Sequence, residues 1–143
     1  NKVLPDHIYS FPINKNEILN AILDNNNNLK KIIKIVHKEI RKKMKVFLNK
    51  NKDKKIVVLD IPLLLENKIN NKNDILIFIQ AKKIDILKRL KKRKNFNKKL
   101  IKKFKNIQLS LDYKKRKSRF IIKNNFTNKS VKNGISNILR EIL

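Results

Sequence analysis

Polar and charged side chains follow three short, mainly apolar runs of this sequence, at residues 56–59, 75–79 and 119–122. A short apolar run rich in β-branched residues is typical of a buried parallel strand. Ligands of open parallel sheets bind outside the carboxyl ends of the strands, so the chemistry is expected in the segments that follow these runs. Three such segments stand out: Asp60-Ile-Pro-Leu-Leu-Leu-Glu66, the pair Arg89 and Arg93, and Asn124-Asn125.

Helices with one apolar stripe surround these predicted strands. The spacing of the apolar residues predicts helices at 15–24, about 29–49, 82–93, about 97–117 and about 128–142. Asn14 is expected to cap the first of them, with Glu17 completing a capping box. Strands that alternate with helices predict an α/β fold with a parallel sheet.

The composition is that of a basic chain without cysteine. The 143 residues include 32 lysines, 6 arginines and 22 asparagines, and the net charge is +27. The lack of cysteine excludes disulfides, thiolate metal sites and thiol catalysis. His7 and His37 lack the spacing of metal ligands, so no metal-ligating residues are predicted.

Two features of the charge argue against a nucleic-acid partner. Lysine, asparagine and isoleucine are encoded by A/T-rich codons, so drift in an A/T-rich genome produces the same excess of these residues. The lysines are also spread along the whole chain rather than clustered on one segment. A surface selected for nucleic acid would use more arginine and interleaved aromatic residues.

No apolar run approaches the ~20 residues that span a bilayer, and no signal-peptide core is present. We therefore expect a soluble, cytoplasmic protein without a membrane partner; nothing in the sequence points to a particular oligomeric state.

One segment is specific enough to indicate a family. Asp60-Ile61-Pro62-Leu63-Leu64-Leu65-Glu66 resembles the Asp-(Val/Ile)-Pro-Leu-Leu-(Phe/Val)-Glu signature that ends a strand in dephospho-CoA kinases. The order of later features also resembles the family: a second strand, Arg89 and Arg93 four residues apart, Gln108, and a strand followed by Asn124. His37 falls where the family has a His-Pro pair, and the resemblance covers about residues 11–143.

The resemblance implies part of a P-loop kinase-like α/β fold: a parallel sheet with flanking helices, a helical substrate-binding segment and a helical lid. It divides the chain into four segments. These are a helical substrate segment at 1–54, core strands with the Pro-Leu-Leu-Leu-Glu motif at 55–81, lid helices at 82–117, and a core strand with the final helix at 118–143.

The sequence departs from the family in several places. Lys15 replaces an arginine, Lys38 replaces the proline after the histidine, Ser118-Arg119 stands for Ala-Asp, and Phe126 replaces the glycine of Asn-x-Gly. The Gly-rich phosphate loop has no counterpart, because Gly134 is the only glycine. The chain also begins with Asn rather than Met, so we expect a fragment without the P-loop and inactive by itself.

On the acceptor side, the resemblance assigns substrate binding to six residues, each with a structural alternative. Asp60 would organise the substrate or the Mg²⁺ side of the site, or only end a strand. Pro62, Leu63 and Leu64 would line the acceptor pocket, or pack a loop on the sheet. Glu66 would hold a basic residue or be solvated, and His37 would contact the CoA substrate or simply pack in a helix.

On the nucleotide side, Arg89 and Arg93 are expected on one helix face of the lid. There their planar guanidinium groups would stabilise the charge of the transferred phosphoryl group. Asn124 and Gln108 would contact the nucleotide. The alternatives are a solvated basic helix for the arginines, an ordinary exposed helix residue for Gln108 and a chance match for Asn124.

The implied activity is ATP-dependent phosphorylation of the 3′-hydroxyl of dephospho-CoA, the last step of coenzyme A biosynthesis, with ATP and Mg²⁺. The catalytic base, an aspartate in the family, has no counterpart in this chain. Two alternatives stay open: a basic nucleic-acid-binding, ribosome-associated protein, and another P-loop kinase of small metabolites.

Overall fold

The computed structural model describes residues 3–94 and 96–143. This part of the chain holds six helices and two strands, in a mixed α/β arrangement consistent with part of a P-loop kinase-like fold. Their order is α1 Lys15–Asp24, α2 Asn26–Lys50, β1 Ile77–Gln80, α3 Lys83–Lys91, α4 Lys98–Ile107, α5 Leu111–Lys117, β2 Phe120–Lys123 and α6 Asn128–Ile142. None of the described helices combines the length and the apolar character that crossing a membrane requires.

The described residues form two compact units. The first unit consists of residues up to Ile69 together with Lys98–Asn106, and the second of Asn70–Asn97 together with Ile107–Leu143. The predicted lid segment is thus divided, since α3 and α5 belong to the second unit and most of α4 to the first. The functional division into four segments stays a prediction.

The first unit is built on α1 and α2, which are separated by one residue. Asn25 ends α1 and its side chain accepts a hydrogen bond from the backbone N–H of Asn27, so it also caps α2. The second helix, predicted to begin at about residue 29, therefore begins earlier: a single asparagine makes the turn and α2 begins at Asn26. A small core, formed by Leu4, Ile8 and Ala21, packs beneath the two helices.

The start of α1 confirms the predicted cap but not the predicted capping box. The Asn14 side chain accepts from the N–H of Asn16, as expected of an N-cap. The backbone N–H of Asn14, however, donates to Ser10 Oγ at 2.9 Å. With that donor already paired, the Glu17 carboxylate accepts instead from the N–H groups of Tyr9 and Ser10, at 3.2 and 3.3 Å.

Lys103 of α4 closes the other end of α1. Its Nζ donates to the carbonyl oxygens of Ile22 and Leu23, at 2.7 and 2.9 Å. These carbonyls belong to the last turn of α1, where helix geometry leaves acceptors unpaired and the macrodipole favours a cation. α1 has no basic residue of its own in that turn, so the distant lysine supplies the charge.

The strand predicted at 56–59 is absent from the described structure. These residues form no ladder; Val57 and Leu59 are half-buried and Val58 is 79% exposed. Their alternating burial is that of an extended segment, but a strand also needs a hydrogen-bonding neighbour. The two strands of the described sheet pair only with each other.

The second unit contains a parallel two-stranded sheet. β1 and β2 pair in register, with Ile77 opposite Phe120 and Gln80 opposite Lys123. These strands confirm the runs predicted at 75–79 and 119–122, each shifted by one or two residues toward the carboxyl end. Phe120 and Ile122 are buried and pack with Ile138 of α6, whose observed bounds match the predicted helix.

The helix predicted at 97–117 is two helices. Ser110 interrupts it by accepting a hydrogen bond from the backbone N–H of Tyr113, which makes it the N-cap of α5. α4 accordingly ends at Ile107. Serine competes with helical hydrogen bonds in this way, and an apolar stripe cannot reveal such a break.

Gly134 lets α6 approach β2 closely. A Cβ atom at this position would lie 2.9 Å from Cγ2 of Ile122, a buried β-branched residue with little freedom to move. We expect Gly134→Ala to destabilise the protein by about 1–2 kcal/mol, because overpacking outweighs the higher helix propensity of alanine.

Urea denaturation followed by circular dichroism measures this change. Asn137→Ala at an exposed position of the same helix is the matched control and should be neutral or slightly stabilising. Stabilisation by Gly134→Ala equal to that of the control would contradict the close helix–strand contact.

Candidate functional site

The Pro62–Glu66 motif lies in a turn that covers residues 62–68. The backbone N–H and the side-chain Nδ2 of Asn67 both donate to the carbonyl oxygen of Leu63, at 3.1 and 2.9 Å, and the N–H of Ile69 donates to Leu64 O at 3.0 Å. Leu63 and Lys68 have φ of 55° and 49°, so left-handed residues bend the chain at both ends of this turn. The buried Ile69 ends the segment.

Arg41 of α2 fastens this turn to the helix. Its Nη2 donates to the carbonyl oxygen of Asn67 at 2.7 Å, across 26 residues of sequence. The motif and α2 therefore belong to one local structure within the first unit.

A shallow cavity of about 590 Å³, open to solvent, lies between α2 and the end of the turn. Its walls come from one face of α2 and from Asn67. The residues of α2 that line it are Lys30, Ile33, Lys34, His37, Lys38 and Arg41. Steps of three and four residues along the chain put these side chains on the same side of the helix.

His37 is the buried residue of this face, at 7% exposure. Its Nδ1 makes no hydrogen bond within the described part of the chain, and no other buried side-chain atom described there is left in that state. An unpaired buried polar atom costs about 1–3 kcal/mol, so a ligand that gives His37 a hydrogen-bond partner would be favoured.

The cavity is strongly cationic. Four of its lining residues carry a positive charge, and the described lining includes no carboxylate. Lys30, Lys34 and Lys38 are one helical turn apart, a spacing at which like charges repel. An anion would remove this repulsion.

The predicted acceptor residues occupy different positions around this cavity. His37 lines it, whereas Asp60 and Pro62 are exposed and Leu63, Leu64 and Glu66 are half-buried in or beside the turn. The turn contributes Asn67, the residue after the motif, to the cavity wall.

In the second unit, Asn124 extends the pairing beyond the carboxyl end of β2. Its N–H donates to the carbonyl oxygen of Gln80 at 2.7 Å, and its Oδ1 accepts from the N–H of Phe126 at 2.7 Å. The half-buried Asn124 therefore shapes the loop between β2 and α6, at the sheet edge where ligands of parallel sheets bind.

Arg89 lies over the ring of Phe126, with its Cζ 4.6 Å from the ring centroid. This cation–π contact holds the predicted lid arginine beside the loop that follows Asn124. Phe126 has φ of 64°, a left-handed conformation that costs a non-glycine residue about 1–2 kcal/mol. Phe126 thus has a backbone conformation suited to glycine, while its ring contacts Arg89.

Two predicted placements on helices are wrong. Arg93 does not share a helix face with Arg89, because α3 ends at Lys91 and Arg93 lies in the turn that follows, with its N–H donating to Leu90 O. Gln108 is exposed in the bend between α4 and α5 rather than on a helix.

Comparison with known proteins covers most of these elements. The family model described as Dephospho-CoA kinase matches residues 12–130, which include α2, the turn, both strands and Asn124. The chain belongs to the dephospho-CoA kinase family. A Wolbachia pipientis wMel protein named dephospho-CoA kinase is 31% identical over 123 residues, covering 85% of this chain and 63% of that protein.

Other proteins with that name are similar to comparable stretches. The one from Wolbachia sp. subsp. Brugia malayi (strain TRS) is 29% identical over 140 residues, 96% of this chain and 71% of its own length. The one from Bartonella henselae is 29% identical over 123 residues, with coverages of 80% and 63%. The chain thus spans about two thirds of the length of these curated relatives.

Membership in the dephospho-CoA kinase family implies ATP as phosphoryl donor, typically with Mg²⁺. The residues of this chain do not fit the triphosphate–Mg²⁺ group. A phosphate loop needs glycines that let backbone N–H groups wrap the phosphates, but Gly134 lies inside α6 against Ile122. The described residues also contain no cluster of three or more acidic, histidine or cysteine side chains.

The sequence did not single out several residues of the cavity. Lys30, Lys34, Arg41 and Asn67 were not predicted as site residues, and Lys38 was noted only as a departure from the family. The one available signal was their spacing of three and four residues on the same helix as His37.

The left-handed backbone of Phe126 can be tested by substitution. Alanine is usually more stabilising than glycine, but at a left-handed position we expect Phe126→Gly to be more stable than Phe126→Ala by about 1 kcal/mol. The free energies of unfolding from urea titrations measure the difference. Equal stability, or a more stable alanine variant, would contradict the left-handed backbone at Phe126.

Proposed function

We propose that this chain binds dephospho-CoA and serves its phosphorylation by ATP at the ribose 3′-hydroxyl. The observation that carries this proposal is the family match across the Asp60–Glu66 motif, together with the hydrogen bond that fastens its turn to the helix of His37. The relatives named dephospho-CoA kinase support the same activity.

In this proposal the first unit holds the acceptor. Pro62, Leu63 and Leu64 provide apolar contact for the substrate, and Asp60 and Glu66 provide carboxylates at the two ends of the motif. His37 supplies a buried imidazole on the neighbouring helix face. Binding and orienting the acceptor is a large part of phosphoryl transfer, in which positioning and charge stabilisation do most of the work.

The proposed contributions of the second unit are charge stabilisation and nucleotide contact. Arg89 presents a planar guanidinium beside the β2–α6 loop, and Arg93 adds a second one from the turn after α3. Such groups stabilise negative charge that spreads over a phosphoryl group in the transition state. Asn124 and Gln108 are the proposed nucleotide contacts of this unit.

Binding of the acceptor can be measured by isothermal titration calorimetry with the 143-residue chain. We expect saturable binding of dephospho-CoA that is at least as tight as binding of CoA, because a specific site recognises the free 3′-hydroxyl. Non-specific attraction to a chain of net charge +27 would instead favour CoA, which carries one phosphate more.

The salt dependence and a nucleic-acid control complete this test. Tighter binding of single-stranded RNA than of dephospho-CoA, falling steeply with salt, would favour the nucleic-acid alternative.

In a coupled assay with ATP and dephospho-CoA, we expect no turnover from these 143 residues, because they provide no glycine-rich phosphate cradle. Turnover would show that other residues hold the triphosphate.

A further inference from the structure

The cavity on α2 contains the elements of an anion site that the family motif does not include. Its charged residues are Lys30, Lys34, Lys38 and Arg41, and its buried member is His37. We propose that this cavity binds the diphosphate group of a nucleotide ester, and, resting on the proposed function, that this ester is the acceptor dephospho-CoA.

Charge is the first argument for a diphosphate. Three lysines repeat every helical turn, about 6 Å along the axis, with Arg41 one turn further. Long lysine side chains on this spacing can converge on two linked phosphates, whereas without an anion they only repel one another. The described lining offers them no carboxylate.

The imidazole of His37 is the second, independent argument. Its Nδ1 is buried without a hydrogen-bond partner among the described residues, and the residue is one of those that line the cavity. Such a side chain favours a ligand that gives it a hydrogen-bond partner. A phosphate oxygen would accept a hydrogen bond from the ring nitrogen that carries the hydrogen.

The remaining lining residues indicate an organic ester rather than a free inorganic ion. One N–H of the Arg41 guanidinium donates to the carbonyl oxygen of Asn67, and the other N–H groups of this planar side chain can donate to a ligand. Ile33 is half-buried and gives apolar contact beside the cations. The volume, about 590 Å³, is in the range of small-molecule pockets and exceeds what one phosphate fills.

The two histidines of the chain make a direct test possible. In ¹H–¹⁵N spectra of the side chains, His37 reports on the cavity, and His7, which is paired with Asp24 at 3.2 Å, is the internal control. We expect dephospho-CoA and inorganic pyrophosphate to shift the ring-nitrogen resonances of His37, pantetheine to leave them unchanged, and His7 to stay constant with all three.

Charge-matched variants separate the cavity from the net charge. Lys34→Gln/Lys38→Gln removes two lining cations, and Lys31→Gln/Lys42→Gln removes two exposed cations elsewhere on α2. The first variant should weaken dephospho-CoA binding at least about tenfold, since two charge-assisted hydrogen bonds are lost, and the second less than about twofold. Circular dichroism checks that both variants keep their helices.

The outcomes distinguish this inference from the proposed function. Binding of dephospho-CoA without a His37 shift, or equal losses in the two double variants, would overturn the diphosphate site and leave the function standing. A His37 shift with pyrophosphate but no binding of dephospho-CoA would support the anion site and overturn the function. An oligonucleotide that shifts His37 at lower concentration than dephospho-CoA would overturn the small-molecule ligand.

Discussion

The guanidinium of Arg41 donates to the carbonyl oxygen of Asn67, and the candidate acceptor site of the first unit depends on this hydrogen bond. Asn67 itself closes the 62–68 turn through two donors to Leu63 O. One arginine thus connects the family motif to the helix face of His37. Lysine could not substitute fully, because the planar fork offers several donors in fixed directions.

Charge is the second constraint on this region. With 38 basic and 11 acidic residues, the chain cannot pair most of its cations internally. On most of the surface solvated lysines need no partner, but on the cavity face the cations are crowded and adjoin a buried imidazole. The same lysine excess that A/T-rich codons account for therefore crowds cations on one face of α2, and an anion would relieve their repulsion.

Local patterns predicted where most helices lie but missed some of their ends and one break, and they could not reveal which segments pair with each other. The bounds of α1 and α6 follow from caps and apolar stripes within the segments themselves. The extended run at 56–59 has the composition of a strand, but a strand depends on a neighbour that composition does not reveal.

The family motif predicted Asp60–Glu66 as site residues. The position after a predicted strand predicted Asn124, and the four-residue spacing of two arginines predicted Arg89. The sequence offered no signal for two contacts that shape the site. The Arg41–Asn67 hydrogen bond joins residues 26 positions apart, and the contact of Arg89 with Phe126 depends on a left-handed backbone at a residue type that rarely adopts one. Such contacts follow from folding of the whole unit rather than from local preference.

The central claim is that the first unit binds the acceptor through the face of α2 and the attached turn. Methyl NMR spectra recorded during a titration with dephospho-CoA test it directly. We predict shifts of the methyl groups of Ile33, Leu63 and Leu64, and none at Ile138, which α6 buries against β2. Saturation with shifts confined to the second unit, or with none at Ile33 and the turn, would contradict it.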